Sequence, residues 1–282
     1  MIELSRVGLG TNNFGRRLDV VGARAVVDAA LDAGVTHIDT ADIYGSGESE
    51  RFLGQILQGR RERAFVATKF GMGQGGNGTR EYLRGAIDRS LASLQTDHVD
   101  LFYYHRPDNV TPISETVAAM NELVQEGKVR AIGVSNVDAE QLSEAAAAAP
   151  VAVVQNHYNL LRRDDEPVLA VCRELDVGFV PYFPLASGLL SGKYRRGEPV
   201  PPNTRLEGQE IDDETFDRLE ALEAFAAARG HSLLDLAIGG LASEPAVASV
   251  IAGAMTPDQV RANAAAGEWR LDADELAALR RL

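Results

Sequence analysis

A chain of 282 residues is long enough for one barrel or two small domains. Its net charge of −13 argues against nonspecific binding to nucleic acid or anionic membranes, because a phosphate surface would repel it; 45% hydrophobic and 24% charged residues are ordinary for a globular protein. No apolar run approaches the roughly 18–20 residues of a membrane span, the N-terminus lacks a signal-peptide pattern, and a single cysteine, Cys172, leaves no intramolecular disulfide.

In chain order, short β-branched or aromatic runs alternate with segments at helical spacing. VGLGT at 7–11 reads as a strand and VVGARAVVDAALDAG as a helix ending near Gly34. HID at 37–39 precedes the helix ESERFLGQIL, and FVATKF at 65–70 precedes a helix that Thr79 can cap. VDLFYYH at 99–105 leads to a helix with Pro112 in its first turn, and VRAIGVS at 129–135 leads to DAEQLSEAAAAA. VAVVQNHY at 151–158 precedes DDEPVLAVCRELD, where Cys172 reads as a core filler. VGFVPYFP at 177–184 is a seventh strand and VASVIAG at 247–253 an eighth, followed by TPDQVRANAAA. Eight strands, each followed by a helix and apolar on both faces, predict a single-domain α/β (β/α)8 TIM barrel over residues 1–282. A doubly wound sheet is the rival, but GLGTNNFG opens no helix where a dinucleotide phosphate would need one. The Pro/Gly-rich insertion at 186–212 reads as a flap over the site.

In a parallel barrel the strand C-termini converge on one face, where polar residues are more often catalytic than structural. The strand ends deliver Gly10-Thr11-Asn12, Asp39, Lys69, His105, Ser135-Asn136, Gln155-Asn156 and Tyr182. Asp39, Lys69 and His105 fall on successive strands, and Tyr44 lies just past the second. A tyrosine has an ordinary pKa of about 10, too high for an efficient proton donor near neutrality. A lysine ammonium lowers it, and a carboxylate keeps that ammonium charged and oriented. The set Asp39, Tyr44, Lys69 and His105 therefore suits delivery of a proton to a carbonyl oxygen, while Asp42 reads as a solvated loop residue.

HIDTADIYG, ATKF and DLFYYHRPD resemble the DTAxxYG, TK and DLxxxHxPD motifs of the aldo-keto reductase family. The likeness continues through EGKVRAIGVSN, VVQNHYNLL, PYFPLASGLLSGKY and VIAGAMTPDQVRAN, nearly the full length. It implies NAD(P)H-dependent reduction of an aldehyde or ketone, or the reverse oxidation. Tyr44 would be the general acid, tuned by Lys69 and Asp39, and His105 would orient the substrate oxygen. The resemblance also supplies a cofactor site. Gly10, Thr11, Asn12 and Asp39 would contribute to it, and Ser135, Asn136 and Gln155 would hold the carboxamide. Tyr182 would stack on the nicotinamide. Pro184, Leu185, Ser187 and Gly188, with Lys193, would line the pyrophosphate, Gly253, Gln259 and Asn263 would meet the adenosine end, and Phe183 and Met255 complete the expected cofactor site. Phe14, Phe70 and Arg106, with Tyr44 and His105, are the expected substrate walls.

Two departures from the family pattern stand out. Met255 occupies the place of a basic residue that would pair with the 2′-phosphate of NADP, which a thioether cannot do; Arg261, Arg195 or Arg196 would have to compensate. NADP(H) follows from the resemblance and NAD(H) from Met255. Phe183 replaces a common serine. The chain also stops soon after RLDADELAALRRL, which predicts an open pocket. The expected protein works on a small carbonyl or alcohol in the cytoplasm, without nucleic acid, membrane or metal, and as a monomer by default. Two rivals are a nucleotide-binding regulatory or sensor subunit with little turnover, and a metal-dependent barrel hydrolase, for which an HxH pair is missing.

Overall fold

Parallel pairing organises the whole chain. The computed structural model describes every residue except Met1, Gln74 and Asn203; Asn203 falls within the expected 186–212 flap. Eight strands, β1 (Val7–Gly10), β2 (His37–Asp39), β3 (Phe65–Phe70), β4 (Val99–Tyr104), β5 (Val129–Ser135), β6 (Val151–His157), β7 (Gly178–Tyr182) and β8 (Val250–Gly253), close into a barrel in sequence order. β1 pairs with β8 in parallel, Gly10 beside Gly253, so no edge is left open. The predicted barrel is therefore the observed fold.

Helices follow the strands: α1 (Val20–Asp32), α2 (Glu48–Ile56), α3 (Arg80–Leu94), α4 (Ile113–Gln125), α5 (Ala139–Ala148) and α6 (Glu166–Leu175). Thr79 caps α3 as its position predicts, accepting from Tyr82 N. Pro112 stands one residue earlier than expected, at the N-cap of α4. The β7–β8 connection carries α7 (Asp213–Ala227) and then α8 (Leu233–Asp235), which runs on into a π turn at Leu236–Gly240. α9 (Pro257–Ala266) follows β8, and the final DADELAAL segment forms α10 (Ala273–Leu279) with an Asp272/Glu275 capping box. No helix among the described residues is long and apolar enough to cross a membrane.

Strand side chains alternate between two cores. Ala67, Leu101, Tyr103, Ala131, Val153, Val180 and Ile251 fill the barrel interior. Val66, Phe70, Phe102, Tyr104, Val134 and Val154 face outward to the helices. Gly133 makes room inside, since a Cβ there would lie 2.7 Å from the Tyr103 ring. At the N-terminal end Asp100 is held by Arg61 (2.6 Å), Arg130 (2.8 Å) and Val66 N (2.8 Å), a structural tie across three strands.

Candidate active site

The inward alternation positions the site. Asp39 follows inward His37 by two residues, Lys69 follows Ala67, His105 follows Tyr103, Gln155 follows Val153 and Tyr182 follows Val180. Each polar group ends an inward row at the C-terminal mouth. Lys69 is fully buried, and its Nζ donates to Asp39 Oδ2 at 2.6 Å and to Thr40 O at 2.7 Å. Gln155 Nε2 donates to Asp39 Oδ1 at 2.8 Å, so both carboxylate oxygens are engaged. Thr11 braces the same residue, its hydroxyl donating to Asp39 O at 2.9 Å. Burial disfavours the Lys69 charge, yet Asp39 and Tyr44 outweigh it and raise its pKa, so the ammonium persists.

Tyr44 enters from the turn after β2. It opens a short turn, Tyr44–Gly47, in which Gly45 and Ser46 take positive φ (58° each) and swing the chain back over the mouth. The Lys69 ammonium stands 5.2 Å from the centroid of its ring. Burial raises the phenol pKa, Lys69 opposes that rise, and Asp39 adds to it. The expected depression of Tyr44 by Lys69 is thus present as one influence, but in the protein alone burial wins. His105 packs edge-on to Tyr44 with ring centroids 6.1 Å apart. Its ring makes no hydrogen bond among the described residues, and burial, then Lys69 and Arg106, push its pKa down to about 3. The imidazole is therefore neutral near pH 7, suited to donating to an oxygen without repelling Lys69.

The β5–β7 side carries the amide-bearing groups. Ser135 Oγ donates to Gln155 O at 2.6 Å. Asn136 sits at positive φ (57°), donates to His105 O at 2.9 Å and accepts from Tyr182 Oη at 2.7 Å. His157 stacks on Tyr182 with centroids 5.3 Å apart, and Phe183 meets both rings edge-on. Next, Phe183 (φ 55°), Ala186 (45°), Ser187 (59°) and Gly188 (101°) hold a run of left-handed conformations, which cost energy outside glycine. Two N–H groups of this loop are satisfied within it, Ala186 N by Phe183 O at 3.0 Å and Gly188 N by Leu185 O at 2.7 Å. Lys193 lies against this loop: a Cβ on Gly188 would lie 2.8 Å from Lys193 Nζ. A cavity of about 400 Å³ opens beside it, lined by residues that include His157, Phe183, Ser187 and Arg218 and none of the four catalytic candidates.

Several expected residues take other positions. Phe70 is fully buried, stacked on Phe102 and Tyr104 in the outer core, because it neighbours inward Lys69 and must point the opposite way. Phe14 is likewise fully buried in that core, so neither ring walls the pocket. Thr11 is fully buried and spent on Asp39 and Ser49. Asp42 is half-buried rather than solvated; its Oδ1 lacks a partner, and burial pushes its pKa up to about 6. Asn156 turns outward to Val137. Pro184 is buried, whereas Leu185 packs against the outer core. Gln259 Oε1 accepts from Met255 N at 2.7 Å, joining the segment after β8 to α9, where Asn263 is buried. Asn12 and Gly253 meet across the β1–β8 seam, and Gly10 allows that approach, since a Cβ there would lie 2.9 Å from Ile251. Arg106 is exposed at the mouth. Tyr103 was not anticipated: it lies beneath Lys69, 5.6 Å from Nζ to ring centroid, and its two-residue spacing from His105 is the signal for it.

Among the described residues no group of three His, Cys, Asp or Glu side chains gathers to hold a metal. The profile of the Aldo/keto reductase family matches residues 6–282. A probable voltage-gated potassium channel subunit beta from Oryza sativa subsp. japonica is 36% identical over 274 residues, covering 89% of this chain and 83% of that protein. Aldo-keto reductase YhdN from Bacillus subtilis is 33% identical over 298 residues, covering 97% and 88%. The structure of a glycerol dehydrogenase from Gluconobacter oxydans matches with a TM-score of 0.87 at 30% identity, over 99% of this chain and 91% of that one. An eight-stranded barrel with a buried lysine–aspartate pair under a mouth tyrosine, matched end to end, thus belongs to the aldo/keto reductase family, a family of oxidoreductases.

Proposed function

We propose that the protein reduces an aldehyde or ketone to its alcohol, or runs the reverse oxidation, with Tyr44 as the proton donor. The observation that carries this reading is the Lys69–Asp39 pair at 2.6 Å, which keeps an ammonium buried beside a phenol. Maintaining such a charge is costly without a function for it. A nicotinamide nucleotide, when bound, supplies or accepts the hydride. The residues present fit one: the left-handed stretch Ala186–Gly188 with Lys193 suits phosphates, and Tyr182 offers a half-exposed ring hydrogen-bonded to Asn136.

Tyr44 holds the proton at Oη until the substrate oxygen gains charge. Lys69 then stabilises the phenolate that forms, and Asp39 with Thr40 O keeps Nζ in place. Neutral His105 donates to the same oxygen and orients it. The proposed setting is the cytosol.

NADP(H) is the proposed cofactor on family grounds, with NAD(H) as its competitor. Met255 offers no charge, and the arginines that would replace it are already paired: Arg195 with Glu223, Arg196 with Asp213, Asp217 and Glu220, and Arg261 with Asp258. A second reading, a nucleotide-binding regulatory subunit with little turnover, draws on the likeness to a potassium channel subunit. Fluorescence titration with NADPH and NADH, followed by carbonyl turnover of wild type and Tyr44→Phe, separates these readings. Absence of nucleotide binding at tens of micromolar defeats both. Binding with slow turnover that Tyr44→Phe leaves unchanged supports the regulatory subunit.

A further inference from the structure

The Lys69 ammonium meets oxygen acceptors in one direction and aromatic rings in others. It has three N–H groups to place. Asp39 Oδ2 and Thr40 O take two of them, at 2.6 and 2.7 Å, and Tyr44 is the group left for the third. A flexible four-carbon stem lets such a head swing unless something bounds it on the remaining side. Within the barrel that boundary is Tyr103, whose ring centroid lies 5.6 Å from Nζ, against 5.2 Å for the Tyr44 ring.

The sheet register accounts for the contact. Lys69 on β3 pairs with Tyr103 on β4, and Tyr103 pairs with Gly133 on β5. Paired neighbours face the same side of a sheet, so Lys69 and Tyr103 both enter the barrel interior. Gly133 has no side chain to fill its own place there, and the Tyr103 ring takes it: a Cβ on Gly133 would lie 2.7 Å from both Cδ1 and Cε1 of Tyr103. The ring is fully buried, and the other buried members of this inner core are aliphatic. Its hydroxyl makes no hydrogen bond among the described residues, although Gln155 lies near enough to act on it. What Tyr103 offers Lys69 is thus its ring face. That face carries the negative part of the ring quadrupole, and it attracts a cation most strongly where water is excluded.

We propose that Tyr103 is a positioning residue for Lys69: its ring face steadies the ammonium from within the barrel and thereby keeps Tyr44 a competent proton donor. The proposal rests on the reductase reading above and adds a residue to it. Tyr103 reaches the substrate only through Lys69 and Tyr44. The other titratable groups that act on Tyr44 or Lys69 are His37 and Asp39 on β2, Asp42 in the turn after it, His105 after β4 and Tyr182 on β7. Changes at position 103 leave all of them in place.

The test uses Tyr103→Phe, phenylalanines at the same position with successive ring fluorines, and Tyr103→Leu. Fluorines keep the shape of the ring and strip negative charge from its face. Reduction of benzaldehyde and butanal with NADPH, followed across pH, gives kcat and KM. Tyr103→Phe keeps the face and is expected to retain the rate that Tyr103→Leu loses. With each added fluorine kcat falls stepwise, in all by on the order of tenfold, the weight of one desolvated cation–ring contact, while KM holds. An ammonium favours a nearby phenolate, so weakening it moves Tyr44 ionisation, and the alkaline limb of the rate, to higher pH by about one unit. A rate and a limb indifferent to fluorine would reduce Tyr103 to packing and overturn the proposal. So would a loss in Tyr103→Phe equal to that in Tyr103→Leu, which assigns the effect to the hydroxyl. Should Tyr103→Leu fail to fold, the fluorine series decides alone. If wild type reduces neither aldehyde, the reductase reading fails separately. The phenolate absorbance that Tyr44→Phe removes still reads the contact in that case: a midpoint that rises with fluorine supports it, and a fixed midpoint overturns it.

Discussion

The two halves of the barrel mouth are built differently. From β2 to β6 the centre of the site is closely tied: Lys69 and Asp39 are buried, and Gln155, Thr40 and Thr11 fix them through bonds of 2.6–3.0 Å, while the His105 ring is left without a partner. After β7 the backbone is strained and the polar groups open outward, with three non-glycine residues at positive φ between Phe183 and Ser187 and Lys193 exposed. The first half is tied by bonds between its own side chains. The second stores strain in a loop, as expected where a ligand is to be gripped and released. The proposed function places the proton chemistry in the first half and the phosphates of the cofactor against the second.

Substitutions should respect that division. Tyr44→Phe removes the proton donor and should lower kcat by about 10²–10⁴, the usual weight of general acid catalysis, with nucleotide affinity retained. Stopped-flow reduction and fluorescence titration measure the two separately. Lys69→Met should cost about 3–5 kcal/mol in urea unfolding, since it leaves Asp39 buried without its cation. The double variant Lys69→Met/Asp39→Asn should regain much of that stability and none of the activity. Gly188→Ala addresses the other half: at φ 101° and 2.8 Å from Lys193 Nζ, the added methyl should weaken nucleotide binding by roughly tenfold, with kcat at saturation little changed. Equal losses of kcat and affinity in Tyr44→Phe and Gly188→Ala would dissolve the distinction.

Asp42 gives the smallest effect and a pH signature. Burial lifts its pKa from 3.8 to about 6, so the folded state binds its proton more tightly than the unfolded chain. Whatever stability that proton contributes is present below the unfolded value and lost as pH rises through about 6. Asp42→Asn should therefore raise stability by about 1–2 kcal/mol at pH 8 and by little at pH 4, read as Tm across the two pH values. A uniform shift at both would show that the carboxylate charge is not the cause. His105, held near pKa 3, should contribute no inflection to the rate between pH 5 and 8.

The comparison of Lys69 with Phe70 shows how far the sequence carries. Strand periodicity of two fixes that neighbours face opposite ways, so once Lys69 is placed in the mouth, Phe70 belongs to the helix-facing core. The same rule separates Gln155 from Asn156 and reveals Tyr103. That information is legible in the residues, and it puts Phe70 with Phe102 and Tyr104 rather than in the pocket wall. Phe14 is a different case. It follows β1 on an irregular loop, where no period applies, and the fold buries its ring in the outer core.

By itself the sequence determined the barrel, the order of its strands and which strand ends bear Asp39, Lys69 and His105, because local apolar runs and their two-residue alternation are written residue by residue. Tertiary structure alone decided the rest. Whether Tyr44 folds back over Lys69, whether Asp42 is wet or buried, and whether Arg205 meets the Phe183 ring depend on segments distant from one another being brought to one mouth. Burial and charge coupling act through space, and no spacing along the chain encodes them.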